Sequence, residues 1–498
     1  MAPQRPAPPK TKPGSIGETV LWSMLGDKEH LQGVDDYVAA GGYDQLKRAI
    51  GIEPAALIDE VKASNIRGRG GAGFPTGLKL SFIPKDNPKP KYVVCNADES
   101  EPSTFKDREI IERLPHLLVE GCLIAARAIG ANHAFIYIRG EFYEPALVLM
   151  QAVEEARAKG LVGENVAGSG WDCDVIVHRG AGAYICGEET ALLSSLNGYR
   201  GQPTVKPPFP AVSGLYESPT LVNNVETLAT LPRILAMGGE TYGAKGTGRN
   251  GAGTRMMSLS GNVVKPGNYE MEIGQPLRVL VEQLGGGVPS GRALKAIIPG
   301  GSSTPVLRAD QVDTIMDYDS MAAAGTMFGS GSVIVIDERT CMAQLALRVA
   351  EFYRHESCGK CTPCREGTKW TVDLLTRIVG GNGRPGDVDT LYDVCSKILG
   401  NCLCPLGDAM AMPVMSYIEQ FRGDFDRYLE PGFEPPSDGP VADIARRAVK
   451  AAGVSKPGVS WVGNLSRDSF TPLDTAGRPT AGAVPTGDAN AQDMGGGA

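Results

Sequence analysis

The sequence predicts an α/β protein in which a largely parallel sheet is followed by a small α+β domain and then by a helical domain. Over residues 15–245, short apolar runs typical of strands alternate with helical periodicity, which indicates a parallel sheet covered by helices. Over 254–338 a hairpin pattern replaces this alternation, and over 340–430 helical periodicity returns with seven of the eleven cysteines. Residues 1–14 and 432–498 are rich in Gly, Pro and small residues, so we expect them to be mostly disordered.

The elements of the first region alternate in type along the chain. Pro54 is expected near the start of a helix, where its missing N–H is tolerated, because Leu57, Ile58 and Val61 follow it with helical spacing. The length and period of the apolar runs predict the other elements. In chain order they are a strand at 92–95, a helix at 109–130, a strand at 133–138, a helix at 144–159, a strand at 174–178 and a helix at 188–196.

The second region is predicted to begin with a β-hairpin. A Lys-Pro-Gly-Asn turn at 265–268 separates two apolar runs at 256–263 and 269–273. The elements predicted after it are a helix at 277–284, a strand at 296–298 and, in the C-terminal tail, one short helix at 441–454.

Charge and hydropathy exclude several classes of protein. A net charge of −8 and a pI of about 5.4 argue against a nucleic-acid-binding protein, which would carry a concentrated basic face. No apolar run reaches the ~18 residues of a membrane-spanning helix. Eleven cysteines without an apolar signal sequence indicate a reducing compartment. We therefore expect a cytoplasmic protein that reaches a membrane only through its partners.

Three cysteines at successive two-residue gaps form the sharpest motif. Cys358, Cys361 and Cys364 share one loop, so their thiolates can converge on one face of a 4Fe-4S cluster, which takes four thiolates. Zinc sites more often use two separated C-x-x-C knuckles, and the spacing favours iron–sulfur. Cys404 is the expected fourth ligand because a proline follows it, and Cys402 is the alternative. Core positions are expected for Cys95, Cys122, Cys173, Cys186 and Cys341.

A glycine-rich loop precedes the first predicted strand. Gly68, Gly70 and Gly73 match the G-x-G-x-x-G pattern, but a helix is predicted before them, so an ordinary Rossmann NAD site is disfavoured. Closely spaced glycines still let backbone N–H groups approach a phosphate or a flat ring, and a flexible surface loop is the alternative. The candidate residues of this loop and its basic flank are Gly68, Arg69, Gly70, Gly71, Ala72, Gly73 and Lys79.

An acidic segment follows the strand predicted at 92–95. Asn96, Asp98, Glu99 and Glu101 would lie past the carboxyl end of that strand, where open α/β sheets bind ligands. A solvated acidic loop is the alternative interpretation. The segment is therefore a candidate binding site only in combination with others.

Two further segments carry candidate residues. In the first, Gly187, Glu188 and Glu189 stand at a helix start, where acids suit ribose hydroxyls better than phosphate, and Tyr184 either stacks on a ring or packs in the core. The second contains the adjacent amides Asn223 and Asn224, which suit the edge of a heterocycle or the cap of a helix.

Together these segments resemble one family, the NADH-binding flavoprotein subunits of complex I and their relatives in soluble hydrogenases and formate dehydrogenases. The resemblance covers roughly residues 50–430. It rests on the cysteine loop and on the segments 67–79, 96–102, 180–190, 223–227 and 298–303. Leu80, where many relatives have tryptophan, and the extra thiol of Cys402 depart from the family pattern.

The resemblance implies FMN and one 4Fe-4S cluster as cofactors and NADH as the substrate. Hydride transfer from NADH to FMN needs no side-chain acid or base, so no catalytic residue of that kind is expected. FMN is expected on the glycine loop and on Asn96, Asp98, Gly187, Asn223, Asn224 and Thr227, and Val222 belongs to the implied cofactor-binding set without an assigned cofactor. The nucleotide is expected against Phe74, Lys79, Phe82, Glu101, Tyr184, Glu189 and Phe209. Glu99 and Glu188 complete the implied cofactor-binding set.

The resemblance also implies a Rossmann-like FMN domain, a ubiquitin-like (β-grasp) domain and a C-terminal helical bundle that carries the cluster. It implies an NADH dehydrogenase subunit of complex I, peripheral on the inner face of the cell membrane, that passes electrons toward quinone. The implied partners are a thioredoxin-like 2Fe-2S subunit and a large multi-cluster subunit. Two alternatives are the diaphorase subunit of a soluble formate dehydrogenase or hydrogenase, and a non-catalytic assembly protein with a zinc site.

Overall fold

The computed structural model describes residues 14–434 and 447–448. The strands of this part are β1 (Gly14–Ile16), β2 (Tyr92–Ala97), β3 (His133–Ile138), β4 (Asp174–Arg179), β5 (Thr220–Asn224), β6 (Thr254–Gly261), β7 (Gly267–Glu272), β8 (Leu294–Ile298), β9 (Leu307–Arg308) and β10 (Ser332–Asp337). Its α-helices are α1 (Val34–Ala39), α2 (Asp44–Ile50), α3 (Pro54–Ala63), α4 (Thr76–Ser81), α5 (Lys106–Arg113), α6 (Pro115–Ile129), α7 (Tyr143–Ala158), α8 (Glu189–Leu196), α9 (Val225–Met237), α10 (Gly239–Gly243), α11 (Tyr318–Ala323), α12 (Met342–Glu356), α13 (Thr362–Arg377), α14 (Asp387–Ile398) and α15 (Leu406–Asp426). None of the helices described is long and apolar enough to cross a membrane. The helix predicted at 441–454 lies outside the described residues except for Arg447 and Ala448.

Four parallel strands form the first sheet, in the order β4-β3-β2-β5. Helix α6 is buried along almost its whole length, which agrees with its nearly continuous apolar sequence. The single helix predicted at 109–130 is instead two helices that meet at Leu114. The break follows from Pro115, which disfavours a helical conformation in the residue before it, and Leu114 has φ −133° and ψ 50°.

The second sheet has six strands in the order β1-β7-β6-β10-β8-β9. Strands β6 and β7 form the predicted hairpin, β6 and β10 are parallel neighbours at the centre, and β8 and β9 complete the far edge. A hairpin whose first strand pairs in parallel with the last strand is the β-grasp arrangement expected of the middle domain. The helix predicted at 277–284 forms a π-helical turn over Val279–Leu284.

The N-terminal strand β1 belongs to this second sheet, although the sequence analysis placed residue 15 in the first domain. Gly14, Ser15 and Ile16 pair in parallel with Tyr269 to Met271 of β7. The three-residue strand is too short to produce a periodic signal. The following N–H groups of Val20, Leu21 and Trp22 all donate to the buried carboxylate of Glu270, at 2.7–2.9 Å. The segment is thereby attached to the second domain.

The helical region packs on the first two domains through a shared apolar core. This core includes Val94 and Val222 of the first sheet, Ile298 of the second sheet and the inner faces of α12 to α15. The carboxyl ends of β2 and β5 therefore lie at the junction of three domains. The five cysteines expected in the core are all buried, namely Cys95, Cys122, Cys173, Cys186 and Cys341.

Candidate functional site

Four cysteines line one small cavity in the helical domain, here called the cysteine cavity. Cys358 follows α12, Cys361 is the N-cap of α13 and Cys364 lies in the first turn of that helix. Cys404 lies two residues before the start of α15 and completes the set. The cavity measures about 250 Å³, counted out to the solvent, and its other walls are Ile185, Pro203, Ser357, Lys360, Leu403 and Leu406. In the described part of the chain, no three potential ligands lie close enough together to hold a single metal ion. The four thiols surround a space larger than a single-ion site.

The chemistry of this cavity fits an iron–sulfur cluster. Burial raises the pKa of Cys364 to about 11 and that of Cys404 to about 12, so these two thiols stay protonated until a metal displaces the proton. Two helices begin at the cavity, and their N-terminal dipoles favour the anionic thiolate once it is formed. The donor set contains sulfur alone, as a 4Fe-4S cluster requires.

Cys402 does not line the cysteine cavity. Its thiol donates to the carbonyl oxygen of Ile398 at 3.5 Å, at the end of α14. Gly407 allows this position, because a Cβ there would lie 2.4 Å from the Cys402 sulfur. The geometry therefore favours Cys404 over Cys402 as the fourth ligand, and the ligand assignment remains a prediction.

A larger polar cleft opens where the three domains meet. It measures about 1300 Å³, counted out to the solvent. Twelve of the predicted residues line it, namely Arg69, Gly70, Gly71, Ala72, Asn96, Asp98, Glu99, Glu101, Tyr184, Gly187, Glu188 and Asn224. Ten predicted residues do not line it, namely Gly68, Gly73, Phe74, Lys79, Phe82, Glu189, Phe209, Val222, Asn223 and Thr227.

The glycine loop forms one wall of the polar cleft. Gly71 has φ +129°, which side chains rarely adopt, so glycine is needed for this turn. The Arg69 side chain is fully buried and donates to the carbonyl oxygens of Ala252 and Thr254, at 2.8 and 2.9 Å. Its backbone N–H donates to Thr227 Oγ1 at 2.8 Å. The Arg69 backbone therefore attaches the loop to α9 of the first domain, and its guanidinium, already engaged by protein carbonyls, attaches it to the start of the second domain.

Buried carboxylates form the floor of the cleft. Burial raises the pKa of Asp98 to about 7 and that of Glu99 to about 8. The sequence analysis missed Lys106, whose ammonium lies 2.7 Å from Asp107 and 2.9 Å from Glu226 in a fully buried setting. Nothing in the sequence distinguishes this lysine from a surface one. It offsets part of the negative charge under the cleft.

The two adjacent asparagines have different roles. Asn224 caps α9, since its Oδ1 accepts from Glu226 N–H at 3.0 Å, and its amide donates to Asp107 at 2.6 Å. Asn223 is buried, and its Nδ2 has no hydrogen-bond partner among the described residues. A buried amide without a partner is costly, so Asn223 fits a position completed by a bound heterocycle.

Exposed phenylalanines and half-buried charged residues lie outside the lining of the cleft. Phe74, Phe82 and Phe209 are 44%, 50% and 57% exposed, a high value for phenylalanine. Lys79 lies 3.1 Å from Glu189, and Lys206, which the sequence analysis missed, lies 2.5 Å from the same carboxylate. Burial acts to raise the pKa of Glu189, but the two lysines outweigh it and lower that pKa below its ordinary value.

The polar cleft and the cysteine cavity share a wall. Ile185, Cys404 and Leu406 line both spaces. Most of the unpredicted lining comes from other domains, because the sequence gives no sign that these segments meet. The unpredicted lining residues from the second and third domains are Ser303, Thr304, Met327, Gly329, Ser330, Pro405, Leu406, Ala409 and Met412.

Comparisons with known proteins agree with this division of the chain. Residues 61–233 match the family model of the Nuo51 FMN-binding domain, residues 255–335 match the SLBB domain, and residues 344–428 match the iron–sulfur binding region of NADH-ubiquinone oxidoreductase F. A crystal structure of an NAD+-reducing NiFe-hydrogenase in the H2-reduced state superposes with a TM-score of 0.72 at 33% identity. That match covers 84% of this chain and 69% of the hydrogenase chain.

The curated relatives are more similar in sequence to this chain than the hydrogenase is. The F 2 subunit of NADH-quinone oxidoreductase in Rhizobium meliloti is 53% identical over 395 residues, which cover 79% of this chain and 94% of the relative. The corresponding F subunit of Streptomyces coelicolor is 47% identical over 444 residues, which cover 88% and 98%. Identity at this level over most of both chains shows the family. The chain belongs to the family of NADH-quinone oxidoreductase F subunits, with an FMN-binding domain, an SLBB domain and a 4Fe-4S binding region.

Proposed function

We propose that this protein oxidises NADH at FMN bound in the polar cleft and delivers the electrons singly to a 4Fe-4S cluster in the cysteine cavity. The observation that carries the proposal is the wall shared by the two spaces. Ile185, Cys404 and Leu406 separate them by the thickness of a side chain. A flavin and a cluster held on either side would be close enough for direct electron transfer.

The protein's contribution at the flavin is binding and orientation. Gly70, Gly71 and Ala72 line the cleft, and their backbone N–H groups would suit a phosphate or ring. The buried Nδ2 of Asn223 would gain its missing hydrogen-bond partner from the heterocycle, and Asn96 would contact the ring from β2. When bound, FMN accepts two electrons together and releases them one at a time.

Nucleotide binding is assigned to the outer part of the site. Glu101 and Tyr184 line the cleft and share a 2.7 Å hydrogen bond, in which the tyrosine hydroxyl donates. Phe74, Phe82 and Phe209 offer exposed rings for stacking on an adenine. Lys79 and Glu189 supply a cation for phosphate and a carboxylate for hydroxyl groups. These residues need only bind and position the substrate, because no proton transfer is required of them.

The cluster is assigned to Cys358, Cys361, Cys364 and Cys404. Their loop is attached to the first domain, since Gln202 Nε2 donates to Cys358 O at 3.0 Å and Lys360 Nζ donates to Pro203 O at 2.6 Å. These contacts hold the cluster loop against the cleft. They support electron transfer between fixed centres rather than through a moving domain.

Electrons would leave through partner subunits toward quinone. The curated relatives are named as F subunits of NADH-quinone oxidoreductase, which indicates that they act within a larger assembly. For this chain we propose a complex I that docks it beside a thioredoxin-like 2Fe-2S subunit and a large multi-cluster subunit. The assembly would hold it peripherally on the inner face of the cell membrane.

A second candidate keeps the same half-reaction in a soluble enzyme. The match to an NAD+-reducing hydrogenase favours it, although at 33% identity against about 50% for the curated relatives. Deletion of the gene separates the two candidates. Loss of quinone-linked NADH oxidation by membranes supports complex I, whereas loss of only hydrogen- or formate-linked NAD+ reduction supports the soluble enzyme.

The first test is an absorbance spectrum of anaerobically purified protein before and after addition of NADH. Flavin bands above a broad brown shoulder, with the flavin bleached by NADH, are the expected result. A colourless protein that contains zinc and stays inert to NADH after reconstitution with iron, sulfide and FMN would contradict the proposal and favour an assembly protein.

A further inference from the structure

Glu101 is the carboxylate of the cleft that all three domains surround. It follows β2 in the first domain, and its Oε2 accepts from Tyr184 of the same domain at 2.7 Å. Its Oε1 is held entirely by the second domain. The N–H of Ser303 donates to it at 2.8 Å, and the hydroxyl of Ser302 donates at 3.2 Å.

The third domain reaches Glu101 through Ser302. The hydroxyl of Tyr353, on α12, lies 3.0 Å from Ser302 Oγ. Because Ser302 uses its single proton on Glu101, its oxygen accepts the proton of Tyr353. Ser302 is 4% exposed and Tyr353 is fully buried, so water cannot replace either bond. The result is a directed chain from Tyr353 through Ser302 to Glu101, in which each bond strengthens the next.

The backbone beside Ser302 is shaped for this contact. Gly301 has φ +101°, and a Cβ at this position would lie 2.7 Å from Glu101 Oε1. Only glycine lets the loop after β8 approach the carboxylate so closely. Helix α12, which supplies Tyr353, ends one residue before Ser357 of the cluster loop. The chain therefore runs from the cluster-bearing helix to the nucleotide cleft.

We infer that Ser302 and Tyr353 are positioning residues for Glu101 in nucleotide binding. The inference rests on the proposed function, in which Glu101 contacts the nucleotide. Both residues lie outside the first domain, so the second and third domains set the orientation of a binding group that the first domain supplies. They also favour its ionised form, since burial raises the pKa of Glu101 overall and the bonds from Tyr184, Ser303 and Ser302 act against that rise.

The test compares two buried tyrosines of the helical domain in the FMN- and cluster-loaded enzyme. Tyr353→Phe removes the hydroxyl that bonds Ser302. Tyr417→Phe is the matched control, because Tyr417 is also fully buried and its hydroxyl has no hydrogen-bond partner among the described residues. The readouts are FMN content, KM and kcat for NADH, and the Kd of NAD+ by calorimetry at several pH values.

Tyr353→Phe is expected to raise the KM for NADH and the Kd of NAD+ about three- to tenfold, with kcat changed less than about twofold. The acidic limb of kcat/KM should move up by about 0.5 to 1 pH unit, because a less stabilised carboxylate takes up a proton more readily. FMN content should equal that of Tyr417→Phe. Ser302→Ala should show shifts in the same direction. Adding Tyr353→Phe to it should change less than the sum of the two single effects, because part of the Tyr353 contact runs through Ser302 and the rest through Tyr184.

Several results would overturn the inference. Equal KM, Kd and pH profiles in Tyr353→Phe and Tyr417→Phe would show that the chain does not position Glu101. A loss of FMN from Tyr353→Phe in proportion to its activity would show a purely structural role. If the unsubstituted enzyme fails to bind NAD+ or oxidise NADH, the proposed function itself fails, which is a distinguishable outcome.

Discussion

The cysteine cavity and the polar cleft share a wall, yet they are constructed in different ways. Three of the four thiols around the cavity lie within the seven residues 358–364, and the fourth precedes a helix of the same domain. The cleft takes its lining from all three domains, from the glycine loop to Ser303 and Met412. One site is a short local motif, whereas the other exists only where domains meet.

This difference has an energetic consequence. A 4Fe-4S cluster depends on four strong bonds, so the loss of one ligand removes a large share of its binding energy. A flavin or nucleotide in the cleft is held by many weak hydrogen bonds and ring contacts, each contributing on the order of 1 kcal/mol. We therefore expect a single substitution to abolish cluster binding in the cysteine cavity, but only to weaken FMN or nucleotide binding in the polar cleft.

The largest effect is expected at Cys404. Cys404→Ala removes a thiol that lines the cavity, so we expect the purified protein to lose its cluster. Cys402→Ala is the matched control two residues away, because Cys402 donates to Ile398 O and does not line the cavity. Iron and acid-labile sulfide content, measured anaerobically, decide the comparison. A cluster that survives Cys404→Ala and disappears in Cys402→Ala would reverse the ligand assignment.

Because acidic side chains with raised pKa values line the cleft, we predict that the free energy of unfolding of FMN-free protein falls as the pH rises. Burial raises the pKa of Asp98 from its ordinary 3.8 to about 7, so over this range the folded protein keeps a proton that the unfolded chain releases. This stabilisation is fully present below the pKa that Asp98 has in the unfolded chain, and it is lost as the pH rises through the pKa of the folded protein. Urea denaturation should give a free energy of unfolding that is lower at about pH 8 than at about pH 5, by roughly 2 to 3 kcal/mol from Asp98 and by a further amount from Glu99.

Asp98→Asn is the control for this pH dependence. The amide cannot ionise, so the variant should show a flatter dependence and greater stability at the alkaline end. Glu99, with a pKa raised to about 8, should maintain part of the slope in the variant. Stability that increases with pH over this range in the unsubstituted protein would contradict the assigned burial of these carboxylates.

The contrast between the two sites also explains what could be predicted from the sequence. The thiol spacing directly identified the candidate ligands Cys358, Cys361 and Cys364, because three ligands in one loop must lie close together. Strands β2, β3 and β4 were predicted to within about two residues, since each is a continuous apolar run in a parallel sheet. Local patterns of this kind are visible without knowledge of the tertiary fold.

Contacts between distant segments could not be predicted in this way. Arg69 was predicted only as a candidate binding residue of the glycine loop, but its guanidinium donates to the carbonyl oxygens of Ala252 and Thr254, which only the folded chain brings near it. Lys106 is buried for the same reason, between carboxylates that include Glu226, 120 residues away. The sequence analysis did not predict that Ser303 lines the cleft. Its N–H donates to Glu101 because a loop of the β-grasp domain lies beside that carboxylate.

Smaller effects are expected from substitution of the two asparagines, and the two substitutions should change the free energy of unfolding in different directions. Asn223→Ala removes a buried amide without a partner for its Nδ2, so protein freed of FMN should be as stable as the unsubstituted chain or up to about 1 kcal/mol more stable. Its affinity for FMN should fall about tenfold, which fluorescence titration measures. Asn224→Ala is the comparison, and we expect it to destabilise by about 1 to 2 kcal/mol because a helix cap is lost. Destabilisation by Asn223→Ala with unchanged FMN affinity would mean that Asn223 is a packing residue.

The smallest effect is expected at the exposed phenylalanines. Phe209 is 57% exposed, so Phe209→Ala should change the free energy of unfolding by less than about 0.5 kcal/mol. If its ring stacks on the nucleotide, the KM for NADH should rise about three- to fivefold with kcat unchanged, because only uniform binding is lost. Val264→Ala, at a 51% exposed position of the second domain, should change neither quantity. An unchanged KM in Phe209→Ala would leave this exposed ring without a role in nucleotide binding and restrict the site to the buried cleft.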